Sequence, residues 1–296
     1  IDSLNCTLAS LLETAAMGFG SSQLGAWMAI VPCLAMYLST WETYHTHTLY
    51  LGYINGPTEG ILIVITIMII SGVCGPQVWS KPIADYLGGS QIFGTVSARD
   101  IWVPFLLFGL LAGHLPGCVI NVIAARKKQN LPVLEAFKGW LAMIAFAVCN
   151  IAWLFSPFSK VLVENHLVLY CLVISFAFGR MTTKIILAHL IRQPFPHWTV
   201  LLNPLVAGAL LVNLPWLGIP TFPGWVELWY LRVYLVFVFI AYMHWAVLVI
   251  NRITTFLGIN CLTIRKDKSI AREQAYREFI ELKPEDEDDD DDNKAD

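Results

Sequence analysis

The sequence predicts an all-α protein, a polytopic bundle of about eight transmembrane helices. Three observations predict it. Hydrophobic residues fill 56% of the 296 positions and charged residues only 14%, against roughly 25% charged in an average soluble domain. Mean hydropathy is +0.61. Apolar runs nearly free of charge recur along the chain, most of them near the ~20 residues that cross a bilayer. Charges this sparse cannot cover a globular surface. A soluble enzyme, a secreted disulfide scaffold and a disordered regulator are excluded together.

The expected spans run near 1–18, 24–44, 57–75, 101–125, 138–156, 167–191, 199–217 and 226–254. The first is short and polar, carrying Asp2, Ser3, Asn5 and Glu13, as a helix lining a site would. It reads as a helix already in progress, and no basic leader precedes it. The sequence is therefore expected to be a fragment of a longer chain. The second span ends in YLSTWETYHTHTLYLG. Its His45 and His47 are two apart, on different helix faces, which argues against zinc. The third opens with NGPTEG, where Pro57 suits a first helical position and Glu59 the first turn. Pro116, in GHLPG, interrupts the fourth. Trp102, Trp140, Trp198, Trp216, Trp225 and Trp229 fall near span ends, as an aromatic belt predicts. No internal repeat is visible.

Three regions follow: a bundle over 1–256, a cytosolic segment over 257–282 and an acidic, disordered tail over 283–296. In the segment, Ile270, Tyr276, Phe279 and Ile280 have roughly helical spacing, as on an amphipathic surface helix or the foot of a solvated one. The net charge of -3 comes from the C-terminal end, since ten of the 22 acids lie in the last sixteen residues. Without those residues, 17 Lys+Arg face 12 Asp+Glu, so the body is +5. The seven cysteines form no CxxC pair and read as reduced thiols.

Loop charges set an orientation. Arg126, Lys127, Lys128, Arg192, Arg265, Lys266 and Lys268 follow the second, fourth, sixth and eighth spans; the opposite loops hold Lys81, Arg99 and Lys160. The first group is expected to be cytosolic, with the C-terminus. By parity Asp2 and Glu59 then enter the membrane from the cytosol, at one depth.

Ionisable groups inside spans are costly and are functional candidates by default. Asp2 reads as a helix cap or a site residue, and Glu59 as a favourable first-turn charge or a site residue. Glu13 is placed to pair within the bundle. Arg180 and Lys184, four residues apart, share a helix face. Lys184 can snorkel to the interface, whereas Arg180 lies a turn deeper. The pair reads as part of an ion-paired network or as cations lining a cavity for phosphates or lipid headgroups. P-loop, GxSxG, HExxH and dinucleotide fingerprints are absent. Nothing in the pattern indicates a nucleic-acid partner.

DSLN, WETY, GPTEG, GPQVW and GRMTTKIILAHL occur in that order. With them the chain resembles the eukaryotic choline/ethanolamine phosphotransferases, fungal members above all, within the CDP-alcohol phosphatidyltransferase family. The resemblance runs from Ile1 to about Arg265. It implies a fold of about ten spans when intact, of which this chain lacks the N-terminal helices. It implies transfer of phosphocholine or phosphoethanolamine from CDP-choline or CDP-ethanolamine to diacylglycerol, with release of CMP. The family motif D-x-x-D-G-x-x-A-R…G-x-x-x-D-x-x-x-D implies that Asp2 is its last aspartate, a ligand of Mg²⁺ or Mn²⁺. The other aspartates, and a histidine base, belong upstream of Ile1, so the fragment alone is expected to be inactive. Glu59 matches the glutamate that strengthens that base. The resemblance further implies an endoplasmic reticulum membrane, or the Golgi, a cytosolic active site and a homodimer. The roles of Arg180 and Lys184 as phosphate or headgroup contacts come from their placement, not from the family. Two rivals remain at this stage: a polytopic lipid or solute transporter, and a non-catalytic lipid-binding relative.

Overall fold

The computed structural model describes residues 2–50, 60–86, 94–263 and 277. Glu59 lies outside them, as do most of the 257–282 segment and the acidic tail. The described residues are helical and contain no strand, apart from an isolated bridge between Pro82 and Ser97. In chain order the helices are α1 (Asp2–Ala16), α2 (Gln23–Thr46), α3 (Ile61–Cys74), α4 (Ile83–Tyr86), α5 (Ala98–Phe108), α6 (Leu115–Lys128), α7 (Val133–Phe137), α8 (Trp140–Leu154), α9 (Leu167–Leu190), α10 (Asn203–Asn213) and α11 (Gly224–Leu257). A π-helical turn at Gly109–His114 joins α5 to α6. It lies just before Pro116, which removes a backbone donor, and the 98–128 stretch runs through it instead of ending. Short 3₁₀ turns flank α10.

Among the described residues six helical stretches are long and apolar enough to cross a membrane: Gln23–Thr46, Ala98–Lys128, Val133–Leu154, Leu167–Leu190, Val200–Leu217 and Gly224–Leu257. These are six of the eight expected spans; the other two coincide with the shorter helices α1 and α3. The 14 residues of α3 are apolar but short; at 1.5 Å per residue they reach roughly 21 Å, against a core of ~30 Å. The 15 residues of α1 bury Ser3, Thr7, Ser10, Glu13 and Thr14, a polar inner face. Two of its hydroxyls are satisfied locally, Ser10 donating to the Cys6 carbonyl and Thr14 to that of Ser10, both at 2.6 Å, whereas Thr7 Oγ1 lies 3.3 Å from Cys33 Sγ on α2.

The chain forms two compact units, Ile1–Tyr242 and Met243–Asp296. In the first, α1 packs against α2 and α9, and α2 also against α6 and α8. Trp41, Trp153, Tyr37, Tyr170, Phe146 and Phe178 are the large side chains fully inside. Tyr37 donates to the Gly139 carbonyl at 2.7 Å and Trp41 to that of Ala136 at 2.9 Å, fixing the turn between α7 and α8 to α2. Outward faces stay apolar, as a lipid environment requires: Val233, Val236, Phe239 and Ile240 of α11 are exposed. The second unit continues this pattern with Ile250, Ile253 and Phe256.

The aromatic belt is narrower than the sequence suggests. Trp198, Trp216, Trp225 and Trp229 are exposed. Trp140 instead packs edge-on to Trp41 with ring centroids 5.3 Å apart. Trp102 donates to Glu13 Oε1 at 2.9 Å, which gives Glu13 the intrabundle partner expected of it. All seven cysteines are free thiols, with Cys74 and Cys261 exposed.

Candidate functional site

Asp2 stands exposed in the first turn of α1. The turn is held against the middle of α9. Ser175 donates to the Leu4 carbonyl at 2.7 Å, and a Cβ on Gly179 would meet Leu4 Cδ2 at 2.7 Å. Position 179 therefore stays bare so that α1 can close on α9, as small residues allow in membrane bundles. Arg180 is the next residue. The fold thus brings the Asp2 turn and the Arg180 turn together, a juxtaposition not evident from sequence separation.

Arg180 and Lys184 share a face of α9 but go to different neighbours. Arg180 donates to the Ala241 carbonyl on α11 at 3.0 Å, and Lys184 to the Trp198 carbonyl at 3.2 Å. Trp198 is itself held by Asn203, its indole N–H donating to Oδ1 at 2.8 Å. Lys184 so anchors the loop that precedes α10.

The described residues by themselves do not suit the expected Mg²⁺ or Mn²⁺. Among them no group of three or more His, Cys, Asp or Glu side chains assembles, and a single exposed Asp2 carboxylate falls short of the several oxygens a hard cation takes.

A cavity of about 650 Å³ opens where α2, α6 and α9 end. Tyr44, His45, His47, Arg126, Gln129, His189 and Arg192 are among the residues that line it. His47 Nδ1 lies 3.1 Å from His189 Nε2. His45 stacks on Phe195 at 5.9 Å between centroids. Arg126 donates to the Pro132 carbonyl at 2.9 Å and lies 3.6 Å from Glu135. Sequence reasoning paired His45 with His47 and put Arg126 and Arg192 on one membrane face, but did not join the two pairs and did not name Gln129 or His189. A partial signal was available: the loops after the second, fourth and sixth spans share one membrane face by parity, which puts His45, His47, Arg126 and Arg192 on the same side of the membrane without deciding that they meet.

No family model matches the chain. Related proteins do. An uncharacterised CDP-alcohol phosphatidyltransferase class-I family protein of Schizosaccharomyces pombe is 31% identical over 276 residues, 89% of this chain and 67% of the relative. Choline/ethanolaminephosphotransferase 2 of Arabidopsis thaliana is 29% identical, over 90% of this chain and 69% of its own. Cholinephosphotransferase 1 of Saccharomyces cerevisiae is 27% identical, over 91% of this chain and 70% of its own. With similarity of this extent carried on a helical bundle of membrane-spanning length, the chain belongs to the CDP-alcohol phosphatidyltransferase class-I family.

Proposed function

We propose that the protein transfers phosphocholine or phosphoethanolamine from the CDP-alcohol to diacylglycerol, yielding phosphatidylcholine or phosphatidylethanolamine and CMP. The observation that carries this reading is the similarity along nine-tenths of the chain to proteins named for that activity. The diacylglycerol hydroxyl attacks the β-phosphorus, the bond to the CMP oxygen breaks, and the hydroxyl proton passes to a base. Arg180, beside the Asp2 turn, is placed to meet substrate phosphate. Lys184, tied to the Trp198 carbonyl, supports the loop at that end of α9. Glu59 is proposed to strengthen a histidine base that the family resemblance places ahead of Ile1. A carboxylate bonded to an imidazole favours the protonated ring and so raises its basicity.

The test is a transfer assay on the full-length protein with CDP-choline, CDP-ethanolamine and a CDP-alcohol of another headgroup. Turnover confined to the third donor overturns the headgroup assignment. Glu59→Gln is expected to lower kcat on the order of 10²-fold, the lower range of general-base effects. An unchanged kcat with an unchanged pH profile removes Glu59 from the mechanism.

The reading also places Arg126 to Lys128 and the C-terminus in the cytosol, in an endoplasmic reticulum or Golgi membrane. A glycosylation acceptor inserted beside Lys128 is expected to stay unmodified, and one beside Ser90 to be modified. The reverse pattern overturns the orientation.

A further inference from the structure

We propose that the cavity between the ends of α2, α6 and α9 is a binding site for the phosphate of an anionic phospholipid headgroup, distinct from the Asp2 end of α1. Among the described residues none from α1 lines it.

Four observations carry this. The first is charge. Arg126 and Arg192 line the cavity with His45, His47 and His189. Among the described residues none lining the cavity is acidic. Arg126 is paired with Glu135 at 3.6 Å, which leaves Arg192 as the cation to meet an anion, with the imidazoles as hydrogen-bonding neighbours. The second is an unpartnered buried ring nitrogen. His45 lines the cavity and is 8% exposed, and among the described residues its Nε2 has no hydrogen-bond partner. A buried ring nitrogen without a partner is costly, and a ligand oxygen reached by a turn of the ring toward the cavity relieves that cost.

The third is backbone conformation. His47 and Arg192 adopt left-handed conformations with φ of 57° and 53°. That region is normally left to glycine at helix ends. Each of these two strained positions carries a side chain of the cavity, and strain retained in this way gathers at functional sites. These side chains are not there merely to satisfy the helix ends. Backbone amides already do so: His47 N–H donates to the Thr43 carbonyl at 2.9 Å, Leu131 N–H to that of Arg126 at 2.9 Å, and Gln193 N–H to that of Ala188 at 2.8 Å.

The fourth is location. α2, α6 and α9 end membrane-spanning stretches here. Leu131 lines the cavity and is exposed, and Leu190 and Ile191, next in the chain to the lining residues His189 and Arg192, are exposed too. A basic pocket between transmembrane helices at the headgroup level, rimmed by apolar side chains, suits a ligand with a phosphate and acyl chains. A soluble phosphate uses the cations but not the apolar rim.

The experiment uses the full-length protein in nanodiscs, with retained lipid counted by native mass spectrometry. Nanodiscs of phosphatidylcholine alone are compared with nanodiscs doped with phosphatidic acid. Phosphatidic acid is expected to be retained selectively. The double variant His47→Gln/Arg192→Gln changes two exposed side chains and is expected to weaken retention on the order of 10-fold, as loss of charge-assisted bonds to phosphate implies. Lys127→Gln removes an exposed cation at the same helix end that does not line the cavity, and is expected to change retention less than about 2-fold, since exposed charges are largely screened. Retention of phosphatidylcholine equal to that of phosphatidic acid overturns the proposal. So does a double variant no weaker than Lys127→Gln. In a second arm, inorganic phosphate and glycerol 3-phosphate are titrated against phosphatidylcholine nanodiscs. Tight binding of either, lost in the double variant, overturns the lipid assignment in favour of a soluble anion.

Discussion

Asp2→Asn in the full-length protein is expected to lower phosphotransfer on the order of 10²-fold or more, the scale of losing one preorganised charged group from a reacting centre. Asparagine keeps the size of the side chain and an acceptor oxygen, and it caps helices about as well as aspartate. Stability is therefore expected to stay within about 0.5 kcal/mol of the parent, the usual range for an exposed position. The two readings of Asp2 separate cleanly in a paired measurement of kcat and thermal midpoint. Loss of rate with an unchanged midpoint identifies a site residue on the turn that α9 holds through Ser175 and Gly179. An unchanged rate leaves Asp2 as a cap of α1 and removes it from the chemistry. A lowered midpoint with an unchanged rate does the same.

Glu227→Ala is expected to be the most destabilising single truncation in the bundle. Glu227, 9% exposed near the start of α11, accepts from Trp153 Nε1 at 2.7 Å, from Ser159 Oγ at 2.8 Å and from the Lys160 amide at 2.7 Å. Alanine strands all three donors at about 1 kcal/mol or more each, so a loss of roughly 3 kcal/mol or more follows. The damage spreads, because Trp153 is wholly buried and lies on the bare backbone of Gly208, where a Cβ would overlap the indole. Its edge also packs against Tyr170, with centroids 5.3 Å apart. Glu227→Gln keeps one carbonyl oxygen and is expected to lose less than half as much. Thermal unfolding in detergent, followed by near-UV circular dichroism, measures both. An alanine variant within about 1 kcal/mol of the parent overturns the assignment, since a stranded buried donor alone costs that much.

The buried glutamates show where sequence reading stopped. Glu227 opens the last span, where a carboxylate also suits the interface and the helix dipole. Only the approach of Trp153, Ser159 and Lys160, some 70 residues earlier in the chain, makes it an internal acceptor. Glu42 is similar, buried on α2 and accepting from Asn121 Nδ2 at 2.6 Å. Glu13 was legible, because an acid deep in a segment rich in small residues demands a partner. Its identity as Trp102 was not.

The sequence alone determined the fold class and the resemblance that leads to the family. Hydropathy is a sum over local residues, and bilayer thickness turns that sum into helices without reference to tertiary contacts. It also set aside Asp2, Arg180 and Lys184, because charge inside an apolar run stands out by itself. Tertiary structure decided which of these residues meet. Gly179 and Ser175 bring the Asp2 turn beside Arg180, while Arg180 and Lys184 diverge to Ala241 and Trp198. It gathered His45, His47, Arg126, His189 and Arg192 around one cavity. Such meetings depend on helix register and rotation, which are fixed by side-chain packing between elements distant in the chain, and no local pattern encodes them.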